Sequence, residues 1–288
     1  MMAWFRGSRR QRNLQRQIQQ DEAYIFGKGN EEIRRLDLQH FMFRWEFGDD
    51  FSAPIRNARS ILDVACGTGR WARDMARRFP RAQIVAFDNN PQQIENAIQQ
   101  AFMVGDTVPN NCSLLVGDAM GRFGFANSSF HFVMARANSA YVPIERWPHL
   151  LNEMIRVTAP GGWIEVRDFG VVRTESIALT AMTGIFANLA AGRNLHPGVG
   201  PYIDKYLTQQ PVRDIRIRRV TVRAGRRATR AGRLLLADYL ALMDRIGPLV
   251  ARVGLASQDQ WNQLMRQARD ETSYVTTEVE LTAAYARR

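Results

Sequence analysis

Short apolar runs alternate with amphipathic stretches through the middle of the chain. The runs that predict strands cover residues 61–65, 84–87, 114–116, 130–135 and 163–166. The stretches that predict the helices between them cover residues 71–79, 92–102 and 147–157. Strands that alternate with helices form parallel sheets with helices packed on both faces. The pattern therefore predicts an α/β, Rossmann-like, doubly wound fold.

Upstream of the first strand the pattern is helical. Residues 8–20 are polar and Gln-rich, with only a thin apolar stripe. Asn30 can cap the helix that follows it, because its side chain can accept hydrogen bonds from the first helical N–H groups. Residues 1–58 are therefore predicted to form an N-terminal helical cap or lid.

Downstream of the fifth strand the alternation breaks. Residues 59–288 are predicted to form the sheet domain, with a helical insertion around 174–210. Apolar residues alternate with basic ones over 212–222, and 278–286 is a matching apolar segment, so both predict strands that pair with each other. These two strands make the predicted sheet seven-stranded and mostly parallel.

The chain carries a formal net charge of +11, with arginines clustered over 6–16 and 213–233. Such an excess attracts polyanions, although a solvated arginine-rich surface also accounts for it. Cys66 and Cys112 lack metal-ligand spacing, and the four histidines form no ligand pair, so no metal site and no disulfide are predicted.

The apolar runs also limit where the protein is expected to act. None of them reaches membrane-spanning length, and the N-terminus lacks the apolar core of a signal peptide. A cytoplasmic protein without membrane insertion is therefore predicted.

A glycine turn follows the first predicted strand. The run 63–69, D-V-A-C-G-T-G, leads directly into a helix. Glycines at this place allow a ligand to approach the backbone, and the helix N-terminus offers free N–H groups. Asp63, just before the turn, disfavours a phosphate and suits a ligand that carries an amino group. An NAD-binding domain fits less well, because the third dinucleotide-binding glycine is absent.

Three later turns carry further signals. Asp88 ends the second strand about 20 positions beyond the glycines, where an acidic side chain suits ribose hydroxyls. Asp118 and Ala119 follow the third strand and could bind an adenine edge. The run 160–163, P-G-G-W, forms a turn before the fifth strand.

These segments, D-V-A-C-G-T-G, F-D-N-N-P, G-D-A and A-P-G-G-W, resemble the motif series of class I S-adenosylmethionine-dependent methyltransferases. The resemblance covers residues 61–168 and implies S-adenosylmethionine as the cofactor. The cofactor-binding residues that it implies are Tyr24, Arg35, Asp63, Ala65, Gly67, Gly69, Asp88, Asn89, Gly117, Asp118, Ala119 and Arg136.

The segment 24–40 resembles a Y…E…R-L-D-L-Q-H segment of methyltransferases near fungal LaeA. Bacterial secondary-metabolite C-methyltransferases of the teleocidin and geranyl diphosphate type share related segments. The resemblance implies that this segment folds over the cofactor, with Tyr24, Arg35 and His40 facing its methionine end or the substrate. Tyr24 and His40 are therefore predicted to be catalytic, although a lone histidine is often only a locally bonded structural residue.

Asp168 is predicted to end the fifth strand, at the sheet edge where such folds bind ligands. A carboxylate there could remove a proton from the acceptor or stabilise a carbocation, so Asp168 is predicted to be catalytic and to contact the substrate. A helix cap or a surface acid is the structural alternative. Tyr141 and Tyr202 are predicted to line the substrate pocket.

The sequence therefore predicts methyl transfer, with carbon favoured, to a small secondary-metabolite acceptor such as a prenyl diphosphate or a terpenoid. A diphosphate acceptor would imply a bound magnesium ion as well. Two alternatives stay open: an RNA methyltransferase that uses the basic surface, and a LaeA-like regulatory methyltransferase. Nucleic acid is disfavoured as a partner because the run 135–141 lacks a target-base motif, and a homo-oligomer is left open.

Overall fold

Seven strands form one sheet in the computed structural model, which describes residues 30–103 and 107–288. The strands are β1 (Ser60–Val64), β2 (Gln83–Asp88), β3 (Cys112–Val116), β4 (Phe130–Arg136), β5 (Thr158–Thr174), β6 (Arg213–Gly225) and β7 (Thr276–Arg287). They lie in the order β3-β2-β1-β4-β5-β7-β6. Strands β1 to β5 are parallel, and β7 is antiparallel to both of its neighbours. The predicted Rossmann-like, mostly parallel sheet is confirmed.

Eight α-helices accompany the sheet within the described residues. They are α1 (Asn30–Phe47), α2 (Arg70–Arg78), α3 (Pro91–Met103), α4 (Trp147–Val157), α5 (Ile177–Gly192), α6 (Ile203–Thr208), α7 (Arg230–Arg252) and α8 (Gln258–Glu271). None of these eight combines the length and the apolarity that a membrane-spanning helix needs.

The two faces of the sheet bury different apolar residues because side chains alternate along a strand. In β1, Ile61 packs into a cluster with Trp71 and Met75 of α2. Leu62, its neighbour in sequence, packs on the opposite face with Trp147 of α4. Helices on both faces therefore leave the carboxyl ends of the central strands open at one edge of the sheet, where loops can form a site.

A second group of helices lies beyond β5. Helices α5, α7 and α8 bury their own apolar cluster around Met182, Met243 and Trp261. Helix α1 packs against α7 and contributes Phe43 to a cluster with β6 and β7. Helix α5 begins within the segment predicted as a helical insertion. Residues 8–20 of the predicted cap lie outside the described residues, and the cap, the insertion and the domain boundary after residue 58 stay predictions.

Strand β5 is longer than the sequence pattern indicated. The prediction that it ends at Asp168 is wrong, because β5 continues to Thr174. The extension has a non-local cause: Phe169 pairs with Leu281, and Thr174 pairs with Thr277 of β7. Asp168 therefore lies within the strand.

Candidate cofactor and acceptor site

The glycine turn between β1 and α2 has the backbone conformation that its sequence indicates. Gly67 and Gly69 adopt left-handed φ angles of 55° and 62°. The N–H of Gly67 donates to Oδ2 of Asp88 at 2.9 Å, which ties the turn to the end of β2. Ala65 also has a left-handed φ of 52°, a conformation that a Cβ atom disfavours. The backbone is therefore strained where it reaches the strand ends.

A cavity of about 390 Å³ opens over this turn, at the carboxyl ends of β1 to β4, and we call it the strand-end cavity. The sequence-predicted cofactor residues that line it are Asp63, Ala65, Gly67, Asp88, Asn89, Gly117, Asp118, Ala119 and Arg136. His40 and Tyr141 line it too, whereas Gly69 and Arg35 do not. Tyr24 lies outside the described residues. The structure thus brings together residues that are widely separated in sequence.

Three buried polar atoms beside this cavity have no hydrogen-bond partner: Oδ2 of Asp63, Nε of Arg136 and Nδ2 of Asn138. Burial raises the pKa of Asp63 to about 7 and lowers the pKa of Arg136. Buried polar groups without partners are costly, so such a set is typical of a ligand site. A carboxylate, a guanidinium and an amide suit a ligand that carries an ammonium and a carboxylate group. The amino-acid end of S-adenosylmethionine fits this set.

Asp88 is placed to bind hydroxyl groups at the other side of the turn. Its Oδ1 accepts a hydrogen bond from the N–H of Asn90, and its Oδ2 accepts the one from Gly67. Each carboxylate oxygen has a further lone pair for a ribose hydroxyl. Asp118 is exposed, and its Oδ1 accepts from the N–H of Met120. Both aspartates therefore fit the ribose and adenine roles that the family resemblance implies.

His40 lies in the wall of the strand-end cavity with both ring nitrogens engaged. Nη1 of Arg136 lies 3.2 Å from its Nδ1, and Oδ2 of Asp74 lies 3.1 Å from its Nε2. Because Arg136 can only donate, the assigned tautomer carries its proton on Nε2 and donates it to Asp74. Burial lowers the pKa of His40 and favours this neutral form. The ring of His40 therefore bridges Arg136 and Asp74. A catalytic role for His40 stays a prediction.

Asp168 is fully buried, and its carboxylate is occupied by backbone groups. Its Oδ2 accepts from the N–H groups of Asn138 and Ser139 at 2.8 and 2.9 Å, and its Oδ1 accepts from Phe169. Burial raises the pKa of Asp168 to about 6. Asp168 lines neither the strand-end cavity nor the chamber described next. Its predicted catalytic role stays untested, and the contacts are those of a positioning residue for the turn after β4.

A second cavity of about 630 Å³ adjoins the first, and we call it the apolar chamber. Its walls come from the end of β5, from α5 and α7, and from the loop 194–198. Its apolar lining residues include Phe186, Leu242 and Val279. The residues that line both cavities are Gln39, Ala137, Ala140, Tyr141 and Leu195.

The boundary between the cavities is built on the short 3₁₀ turn Asn138–Ala140. Ala137 enters this turn with a left-handed φ of 54°. Asn138 lines the strand-end cavity and Ser139 lines the apolar chamber. The turn that Asp168 holds therefore separates a polar ligand site from an apolar one.

Two further predicted site residues lie elsewhere. Arg35 is buried, and its guanidinium donates to Glu32 and, at 2.8 Å, to Oδ1 of Asp238. It lines the apolar chamber, so its predicted contact with the cofactor stays a prediction. Tyr202 is 43% exposed and packs on the ring of His196, outside the linings of both cavities.

Helix α1 contributes site residues that sequence reasoning missed. Leu36 and Phe43 lie on one stripe of α1 with the predicted residue His40 and line the strand-end cavity, and Gln39 lines both cavities. Spacings of three and four residues place side chains on one helix face. That spacing could have identified Leu36 and Phe43, whereas Leu195, Thr183 and Tyr239 carry no such local signal.

Comparisons with known proteins agree with this geometry. The family model described as a methyltransferase domain matches residues 61–162. The methyltransferase cpsF of Aspergillus campestris is 28% identical over 156 residues, which cover 52% of each chain. The secondary metabolism regulator laeA of Aspergillus fumigatus is 28% identical over 49% of this chain and 35% of its own. The chain thus spans about half or less of the length of these curated relatives.

A solved structure shares the fold across most of the chain. Phosphoethanolamine N-methyltransferase 2 of Haemonchus contortus, in complex with S-adenosylhomocysteine, aligns with a TM-score of 0.51 and 20% identity. The alignment covers 86% of this chain and 57% of that one. Residues 61–162 of this chain match a methyltransferase domain, and the sheet order and the motif series agree with that match.

Proposed function

We propose that this chain transfers the methyl group of S-adenosylmethionine to a small, largely apolar acceptor bound in the apolar chamber. The observation that carries the proposal is the shared wall of the two cavities. Five residues, Ala140 and Tyr141 among them, line both cavities, so the two cavities lie side by side with this one layer of residues between them. One fungal relative is named as a regulator of secondary metabolism, and this link supports a role for the present chain in secondary metabolism.

The chain's own residues chiefly bind and orient in this proposal. When bound, S-adenosylmethionine supplies an electrophilic methyl group on a sulfonium. Asp63 and Arg136 hold the amino-acid end of that ligand, and Asp88 holds its ribose. The apolar walls around Phe186 and Leu242 exclude water from the acceptor. Alignment of two bound reactants accounts for a large part of the rate in such displacements.

Carbon as the acceptor atom, and a diphosphate with magnesium, are narrower proposals. Among the described residues, His40, Asp50 and Asp74 form the one group with metal-ligand geometry. Arg44 and Arg77 already lie 3.4 and 3.0 Å from carboxylate oxygens of Asp74, so cations of the protein neutralise the group. Magnesium would therefore have to arrive with the diphosphate.

A tritiated-methyl transfer screen tests the proposed function. It compares total cell RNA with an extract of small metabolites supplemented with prenyl diphosphates, with and without magnesium. We expect label in a small, solvent-extractable product, because the chamber is apolar. Label confined to ribonuclease-sensitive material would favour the RNA methyltransferase, and binding of S-adenosylhomocysteine without any labelled product would favour a regulator.

A pair of variants on α5 links that product to the chamber. Ala187 and Ala181 are both exposed on this helix, but only Ala187 lines the chamber. Ala187→Trp fills part of the chamber and is expected to reduce methyl transfer at least about tenfold, while binding of S-adenosylhomocysteine stays unchanged. Ala181→Trp is expected to keep full activity. Equal activity in the two variants would contradict the chamber as the acceptor site.

A further inference from the structure

A third concave surface lies where α1, α7 and α8 meet. It is an open depression of about 770 Å³ and includes Gly225 and Ala228 from the turn after β6. It shares no residue with the strand-end cavity and only Arg35 with the apolar chamber. We call it the basic groove, and the proposed methyl transfer does not use it.

Arginines from all three helices converge on this groove. Arg34 of α1, Arg233 of α7 and Arg269 of α8 line it, and all three are exposed. Within the described part of the chain, none of these three guanidiniums has a carboxylate within ion-pairing distance. The lining contains a single acidic residue, Asp244. The groove therefore presents a local excess of positive charge.

The same groove has an apolar floor. The apolar side chains that line it are Leu38, Leu236, Ala237, Leu240 and Ala241. Of these, Leu240 is buried, and Leu38 and Leu236 are half-buried. A strongly charged rim around such a floor matches a ligand with an anionic head and an apolar body.

We propose that the basic groove is a second ligand site, for a phosphate monoester with an alkyl or prenyl tail. Planar guanidinium groups donate paired hydrogen bonds to phosphate oxygens. Arg233 also donates to the backbone carbonyl of Ala228 at 3.1 Å, which leaves its positive charge in place. The three arginines outnumber the single carboxylate of the lining by two charges, and a dianionic phosphate head would balance that excess. The tail lies on the leucine and alanine floor. This site stands independently of the transferase activity proposed above.

Calorimetric titration with decyl phosphate below its micellar concentration tests the site. We expect decyl phosphate to bind at least about tenfold more tightly than inorganic phosphate or decanol, because each of these probes has only half of the recognised chemistry. The double variant Arg34→Gln/Arg269→Gln is expected to weaken decyl phosphate binding about 100-fold, or about tenfold for each guanidinium. Binding of S-adenosylhomocysteine should not change.

The matched control is Arg213→Gln/Arg216→Gln, which removes the same charge from two exposed arginines of β6. Equal loss in the control would reduce the effect to net charge and overturn the site. Unchanged binding in the first double variant would place decyl phosphate in another cavity and also overturn it.

Sedimentation with vesicles of phosphatidylcholine and phosphatidic acid distinguishes the two sources of such a headgroup. If the Arg34→Gln/Arg269→Gln variant loses a co-sedimentation that the unmodified chain shows, the ligand is a membrane lipid. Binding of decyl phosphate without co-sedimentation identifies a soluble phosphate ester. Either result supports the groove, whereas co-sedimentation that only the Arg213→Gln/Arg216→Gln control loses contradicts it.

Discussion

Asp63→Asn is expected to weaken binding of S-adenosylhomocysteine about 100-fold at pH 8. We expect no other shape-preserving substitution in the strand-end cavity to have a larger effect. Oδ2 of Asp63 is buried without a hydrogen-bond partner, and the ammonium group of the ligand would supply that partner. The amide keeps the shape but removes the charge, and a buried charged hydrogen bond is among the strongest polar contacts. Calorimetry measures the loss directly.

The affinity of the unmodified chain for S-adenosylhomocysteine should also rise with pH. The pKa of Asp63 is about 7, and the ammonium binds the ionised form. The ionised fraction rises from about 10% at pH 6 to about 90% at pH 8, so affinity should rise about tenfold over that range. The Asn variant should show no such rise. An Asp63→Asn protein with normal affinity and an unchanged pH profile would contradict the assignment.

Thermal unfolding without ligand provides the control for Asp63→Asn. The folded pKa of Asp63 is above the unfolded value of about 3.9, so its ionisation costs stability as pH rises between about 4 and 7. Asparagine removes that cost. The variant should therefore melt at or above the temperature of the unmodified protein at pH 8, which separates a lost contact from a misfolded chain.

Asp168→Ala is expected to lower the free energy of unfolding by about 3 kcal/mol, because three backbone N–H groups lose their acceptor in a buried place. Turnover should fall with it, since the turn Asn138–Ala140 separates the two cavities. Binding of S-adenosylhomocysteine should weaken too, because Asn138 lines the strand-end cavity. Chemical unfolding and calorimetry measure the two effects.

Asp168→Asn distinguishes this positioning role from the catalytic role that the sequence predicted. Its side-chain oxygen can still accept, but its amide group faces backbone donors. We expect intermediate losses of stability and of cofactor affinity together. Normal stability and normal affinity, with turnover reduced about 10²–10⁴-fold, would instead identify Asp168 as a general base. Asp204→Asn, which changes a carboxylate in another part of the chain, is expected to leave all three measurements unchanged.

The sequence was sufficient for features that depend on neighbouring residues. The glycine turn, Asp63 before it and Asp88 at the end of β2 were all placed correctly, because strand–turn–helix units are encoded within about 30 residues. The two late strands could be predicted for the same reason. Apolar residues alternate with basic residues along 212–222, and this alternation indicates which side of the strand is buried and which is exposed.

Features that depend on distant contacts could not be predicted. Arg35 pairs with Asp238, 203 positions away, and that ion pair places it beside the apolar chamber. Strand β5 extends past Asp168 because β7 supplies partners from more than a hundred positions later. The chamber itself needs α5 and α7 to meet the end of β5. The pattern of residues within one segment cannot predict which distant segments it will contact.

The central claim is that the strand-end cavity binds S-adenosylmethionine, and titration of the unmodified chain with S-adenosylhomocysteine tests it most directly. Gly67→Arg is the negative control, because Gly67 has a left-handed φ and a Cβ atom there would lie 3.2 Å from Leu36. The account predicts saturable binding at a single site, tighter at pH 8 than at pH 6, and no binding by the variant. Absence of heat with the unmodified chain, or equal binding by Gly67→Arg, would contradict it.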